Sequence, residues 1–270
     1  MSNDLYALTS PLCELGSFEE TKGQIKTSGI VELNGCSDSQ KLHMLYSLSD
    51  GFVNKVIVTF SEQKAREICE DYSFYDPGAK VYPARDLMFY QADIHGSLLT
   101  KDRLRCISSI IKNEPVTIVT TFDALMNHVV PVKKIADRLI NINTGDELDT
   151  GKLSRDLATL GYERNYQVES EGQFSMRGGI IDIFPLTGDN PVRIELWGDE
   201  VDSIRSFDVL TQRSLEKLNE ISIFPATEIT LDDDEKRAGI RKIEKDAKKL
   251  SDKFRKEFLT EEAFRIRSEE

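Results

Sequence analysis

Residues Gly35-Cys-Ser-Asp-Ser-Gln-Lys-Leu42 fall at the spacing of a phosphate-binding P-loop, GxxxxGK[ST], between a short apolar run and a helical stretch. In such a loop the glycines let backbone N–H groups wrap the phosphates. The lysine meets the β and γ phosphates, and the hydroxyl holds magnesium. Gly35 and Lys41 fit that scheme. Gln40 stands at the second glycine position, where its side chain would crowd the phosphate path. Leu42 stands where a hydroxyl is needed and cannot ligate magnesium. Asp38 adds negative charge where phosphates would sit. The strand-like run "VTIVTTFDAL" ends in Thr120 and Thr121, where a motor would place paired carboxylates. The frame of a nucleotide site is there without its chemistry. ATP hydrolysis is not expected, Lys41 reads as a surface lysine in a first helical turn, and no catalytic residue is assigned.

Other chemistry-bearing residues are scattered. Cys13, Cys36, Cys69 and Cys106 form no CxxC, so they read as reduced, isolated thiols with no metal expected. His43, His95 and His128 have no Ser or Cys partner at a suggestive spacing and receive no role. No cofactor is expected. Acidic residues outnumber basic ones 47 to 35, for a net charge of −12, which disfavours broad binding to phosphate backbones. No apolar run is long enough to span a membrane, and the first residues lack a signal-like pattern. A soluble, cytoplasmic protein is expected.

The elements alternate over the first half. Short strands are predicted at Ile30–Leu33, at "KVIVTF" (55–60, of the fully buried kind), at "AKVYPA" and at "PVTIVTTF" (115–122). Helices are predicted at Gln40–Leu48, over "SEQKAREICEDY" and over "LLTKDRLRCISSIIKN", where Leu104, Ile107 and Ile111 share a face. This grammar implies a parallel sheet covered on both faces. After "VVPVKK" it changes. The helix "GKLSRDLATLGY" is followed by "NYQVES", "GQFSMRG", "GIIDIFP", "PVRIELW" and "EVDSIRSF", strands with connections too short for helical crossovers and therefore antiparallel. "WGDE" suits a two-residue hairpin with Gly198 and Asp199 at its tip. "EISIFPATEI" (220–229) reads as the strand leading back.

With 270 residues, two packed units are expected: an α/β P-loop-like domain whose first part is 1–132, an inserted antiparallel α+β domain at 133–224, and a return with C-terminal helices at 225–270. In the charged tail, Ile240, Ile243, Ala247, Leu250 and Phe254 form one helical stripe, read as an amphipathic helix packed on a neighbour. The chain stops in mid-pattern at "FRIRSEE", as expected of part of a longer protein.

The segment "GQFSMRGGIIDIFPLTGDNPVRIELWGDEVDSIRSFD" closely resembles the one shared by the excinuclease protein UvrB and the transcription-repair coupling factors, with F-x-x-R-G-x-x-[IL]-D-[IL]-F-P followed by R-[IL]-[DE]-[LF]-[FW]-x-D-E-[IV]-[DE]. "VYPARDLMFYQADI" and "FDVLTQRSLEKLNEISIFPATEI" resemble the coupling factors. So do the broken P-loop and a stretch after Tyr82 too short for the aromatic-rich DNA-probing hairpin of UvrB. The resemblance covers about residues 25–230. It implies a non-catalytic adaptor whose inserted domain binds the excinuclease protein UvrA, linking a stalled RNA polymerase to nucleotide excision repair. It also implies a longer parent, an ATP-dependent DNA translocase that meets RNA polymerase and DNA through other domains. The family's contact residues fall by motif on Arg177, Arg193 and Trp197, the last more commonly Phe in the family.

Strand periodicity checks this independently. Val192, Ile194 and Leu196 alternate with Arg193, Glu195 and Trp197; Phe174 and Met176 alternate with Ser175 and Arg177. If the apolar sets pack on the helix, both arginines and the chain's one tryptophan face outward, the composition of an interaction hot spot. Glu195, Glu200 and Asp202 would form its polar rim. From these residues alone the alternative stays open: Trp197 covering a minor core under a loop, and Arg177 only pairing Asp182 or Glu195. Asp182 reads as a structural partner. A divergent P-loop ATPase and a DNA-binding module are the competing functions.

Overall fold

In the computed structural model, the described residues are 9–27, 29–85, 95–127, 129–228, 231 and 233–256. They build a mixed α/β structure with one parallel sheet, one small antiparallel sheet and one larger, mostly antiparallel sheet. The first half runs α1 (Phe18–Thr27), α2 (Asp38–Leu48), β1 (Asn54–Thr59), α3 (Glu62–Ser73), β2 (Lys80–Tyr82), α4 (His95–Ile111) and β3 (Val116–Thr121). The strands form a parallel sheet in the order β1-β3-β2. β3 is central and buried at every position, as a β-branched "VTIVTT" run between two neighbours should be. Ser61 caps α3 by accepting from the Lys64 backbone N–H.

Two strand expectations in this half are corrected. Residues 30–33 form no strand: β1, not this segment, is the outer member of the sheet, and Ile30 is 83% exposed. "KVIVTF" is a strand but not a fully buried one. At a sheet edge with one open face, Val56 and Val58 are exposed and Phe60 stands in solvent. Coverage on both faces is therefore incomplete here. The stretch 86–94, including most of "VYPARDLMFYQADI", lies outside the described residues, as do His128 and "FRIRSEE".

Two short helices, α5 (Phe122–Met126) and α6 (Val132–Ala136), lead to β4 (Ile140–Asn143) and α7 (Thr150–Thr159). A six-stranded sheet follows, made of β5 (Glu163–Arg164), β6 (Gln173–Arg177), β7 (Ile180–Ile183), β8 (Val192–Trp197), β9 (Glu200–Phe207) and β10 (Ser214–Leu218), neighbours in chain order. β6 through β10 pair antiparallel, and β5 joins β6 in parallel. The predicted strand "NYQVES" is irregular instead. Only Glu163–Arg164, just before it, pairs, and residues 165–170 form a loop over the sheet. β4 and β10 carry too little periodicity to be read from sequence.

β11 (Glu220–Ile223) pairs antiparallel with β4, so the returning strand lies beside the one that opened the segment. α7, whose N-terminus is capped by Asp149, lays Leu153 and Leu157 on the inner face of the large sheet. They meet Phe174, Ile181, Ile183, Val192, Ile194, Val201 and Ile204 in one core, each such side chain contributing roughly 1.5–3 kcal/mol. Gly161, at φ 90°, lets the chain leave α7 so close to Thr227 that a Cβ would lie 2.9 Å from its methyl carbon. The tail helix α8 (Asp233–Lys256) forms, but Ile240, Ile243 and Leu250 of its stripe are exposed rather than packed on a neighbour. The helix is tied to the rest of the chain elsewhere, where Glu235 pairs with Lys134 and Arg138 and Ser251 is buried, and it carries its own i,i+3 ion pairs, Asp234–Arg237 and Asp246–Lys249.

Candidate functional site

The strand registers set out two rows of side chains on the outer face of the large sheet. Ser175, Asp182, Arg193 and Arg205 stand side by side across β6, β7, β8 and β9; Arg177, Ile180, Glu195 and Ser203 form the next row. The intervening rows, such as Met176-Ile181-Ile194-Ile204, face the core. The period-two expectation therefore holds for these strands. One extra residue in β9, opposite the step from Glu195 to Leu196, shifts the register before the hairpin at Gly198 (φ 64°) and Asp199.

Of the predicted residues, Trp197 is the most open, at 84% exposure beside the hairpin tip. The two arginines share one buried carboxylate. Arg193 grips Asp182 with a fork, Nε to Oδ1 at 2.6 Å and Nη2 to Oδ2 at 2.9 Å, while Arg177 donates from Nη2 to Oδ2 at 3.0 Å. The hydrogen bond to Asp182 pushes the Arg193 guanidinium above its ordinary pKa, against the opposing effect of burial. Arg193 also donates to Gln212 Oε1 at 3.0 Å, and its guanidinium lies 4.5 Å from the centre of the Phe207 ring. Glu195 is engaged by Arg205 and accepts from the Ser203 hydroxyl at 3.0 Å. Arg193 and Arg205, directly opposite on adjacent strands, are thus each supplied with their own carboxylate.

Around this charged strip stand exposed apolar groups. Ile180, Tyr166 and Leu210 all reach solvent. Ser175 Oγ donates to the Tyr166 carbonyl at 2.7 Å and ties that loop to the sheet, with the Arg177 guanidinium 5.6 Å from the Tyr166 ring centre. Tyr166, Phe207, Leu210 and Gln212 were not picked out by sequence. Tyr166 lies in "NYQVES", whose sequence reads as strand but folds as a loop, and the 208–213 loop has no periodicity to reveal which way it folds. Phe207 alone carried a signal, an aromatic in phase with Arg205 at the end of a β run.

Gly35, Gln40, Lys41 and Leu42 do come together, at the start of α2. Gly35 is left-handed at φ 79°. Ser37 Oγ accepts from the Gln40 N–H and Gln40 Oε1 accepts from the Ser37 N–H, a reciprocal cap on the helix. Asp38 is paired with Lys41 at 3.1 Å and Lys64 at 3.2 Å, which hold its carboxyl below the usual range. Leu42 is buried. His43 stacks on Tyr75. Among the described residues no cluster of His, Cys, Asp and Glu could hold a metal ion, and no helix is long and apolar enough to cross a membrane.

Residues 140–229, which include this whole face, match the family described as the UvrB interaction domain. The chain is 35% identical over 209 residues to the transcription-repair-coupling factor of Bacillus subtilis (strain 168), covering 75% of this chain and 18% of that protein. It is 34% identical over 209 residues to UvrABC system protein B of Thermosipho africanus, covering 77% of this chain and 31% of that protein. The coupling factor of Staphylococcus haemolyticus is 34% identical over 181 residues, 66% of this chain and 15% of that protein. The chain thus spans less than a third of the length of these relatives. It is a coupling-factor/UvrB-like module that carries a UvrB interaction domain.

Proposed function

We propose that this chain is a non-catalytic adaptor module of a transcription-repair coupling factor, and that it recruits UvrA to link a stalled RNA polymerase to nucleotide excision repair. The observation that carries this reading is the outer sheet face: Trp197 in open solvent, on the same strand as Arg193 of a fixed arginine cluster, inside the segment that matches an interaction domain. A large exposed aromatic beside ordered arginines has the composition of an interface hot spot. Arg177, Arg193 and Trp197 are its contact residues. RNA polymerase, DNA and ATP-driven translocation belong to other domains of a longer, cytoplasmic parent.

In this reading residues 1–132 are the first part of a degenerate P-loop-like domain, 133–224 the inserted partner-binding domain, and 225–270 the return. Gln40 and Ser37 already occupy helix N-terminal donors that a phosphate would take, and Asp38 sits there with its own lysines. Both features speak against the divergent ATPase. The net charge of −12 speaks against a DNA-binding module.

Calorimetric titration of the chain with UvrA is the test. Micromolar or tighter binding that Trp197→Ala weakens by about 2 kcal/mol is the expected result. A folded wild-type chain that gives no heat of binding sinks the adaptor reading.

A further inference from the structure

We propose that Asp182 is the positioning residue of this face: it fixes the orientation in which Arg193 is presented and leaves Arg177 with the free guanidinium edge that takes a carboxylate of the partner. The inference rests on the functional reading above. Asp182 sits in the middle of β7 between Ser175 and Arg193, and its side chain is only 2% exposed. A carboxylate in that position is costly to desolvate and persists only when its charge is matched. Arg193 matches it twice over through its fork, and three further constraints fix the rotamer: the Gln212 acceptor, the Phe207 ring and the flanking strands. Gln212 is itself held in place, with φ at 57°, its N–H on the Asp208 carbonyl and its Nε2 on the Val209 carbonyl. Arg193 keeps only 20% exposure on the outer face.

Arg177 is different. It gives one N–H to Asp182, keeps 37% exposure, and makes no other hydrogen bond among the described residues. One carboxylate facing two guanidiniums leaves a surplus positive charge, and that surplus resides on the more open arginine. Arginine's planar fork recognises a carboxylate through two parallel N–H donors. Arg177 lies in the row that also carries Ile180 and Glu195, with Trp197 the next outward residue along β8, so the matching partner surface offers an acidic side chain next to an apolar pocket. Arg193 thus meets the partner in the orientation that Asp182 imposes, and Asp182 acts on binding through Arg193.

Two arms test this on the full 270-residue chain. In the first, the arginine Nε–H signals of the free chain are recorded by ¹⁵N NMR, with Arg193 assigned by its loss in Arg193→Ala. The expected result is a slowly exchanging Arg193 signal that Asp182→Asn abolishes while the circular dichroism spectrum is retained. In the second, affinity for UvrA is measured for Asp182→Asn, Arg193→Ala and the double variant. Asp182→Asn is expected to weaken binding about tenfold and to add nothing on the Arg193→Ala background. An unchanged Arg193 signal in Asp182→Asn, or the same loss on both backgrounds, overturns the proposal. If Asp182→Asn does not fold, Gln212→Ala removes one constraint only and must accelerate exchange of the same signal; unchanged exchange overturns it. If the wild-type chain does not bind, the functional reading fails, and the first arm still decides the positioning role.

Discussion

Arg103 on α4 and Glu228 beyond β11, 125 residues apart in the chain, meet in a buried salt bridge with Nε 2.5 Å from Oε1. Arg103 is fully buried. It donates from Nη1 to the Pro83 carbonyl at 2.7 Å and lies over the Tyr82 ring, while Arg85 reaches the other Glu228 oxygen at 2.9 Å. The stretch after β11 is therefore fastened to the end of the parallel sheet. Lys101 and Arg105 on the same helix extend the fastening to Glu171 and Asp189. Glu228→Gln strips two arginines of their shared counter-charge, and removing one partner of a buried pair costs about 3–5 kcal/mol. Urea denaturation checks it: an unchanged midpoint would contradict the buried pair.

Trp197→Ala separates folding from recognition. At 84% exposure the ring contributes little to the core, so stability should stay within about 0.5 kcal/mol of wild type. A markedly lower midpoint would mean that the ring packs against the protein after all, and the open-face geometry would be wrong.

The thiols should differ sharply. Cys106 is buried, its Sγ 3.6 Å from the Val81 carbonyl oxygen, and burial pushes its pKa up to about 12. Cys13 is exposed. A disulfide reagent at about pH 8 should modify Cys13 at once and Cys106 only after urea is added. Equal rates in the native chain would exclude the buried environment described for Cys106.

Acid should destabilise the fold through identifiable carboxylates. Asp149 and Asp208 are held below the usual carboxylate range by hydrogen bonds from Lys152 N–H and from Thr211, and Asp38 by Lys41 and Lys64. Folded-state pKa values below the unfolded ones contribute stability that is present above about pH 4 and lost as pH falls through the lower folded values. Asp149→Asn should flatten the pH dependence of the denaturation midpoint below about pH 4. High salt should erase the Asp38 part, because that pair is exposed, and spare the backbone caps. A midpoint that rises on acidification would reverse the sign and refute the assignment.

Much of this protein is legible in the sequence because its signals are local. Alternation in "VRIELW" and "QFSMR" placed Arg193, Trp197 and Arg177 on the outer face, since a strand has only two sides. The helical patterns after Ser37, Ser61 and Asp149 did become helices, each capped by that residue's side chain. The departures at Gln40 and Leu42 spoke against phosphate chemistry by residue type alone.

Tertiary structure decided what depends on neighbours distant in the chain. Whether "KVIVTF" is buried turns on its place at the edge of the sheet, and Ile30–Leu33 pairs with no strand among the described residues. The tail stripe is apolar, yet nothing among the described residues covers Ile240, Ile243 or Leu250. Above all, outward is not the same as available. Pairing across three strands brought Asp182 beneath both arginines, and a loop with no periodicity set Gln212 against Arg193. A strand's period determines which face a side chain takes. The partner it finds there is decided by register and loop path, which are set by packing over the whole sheet.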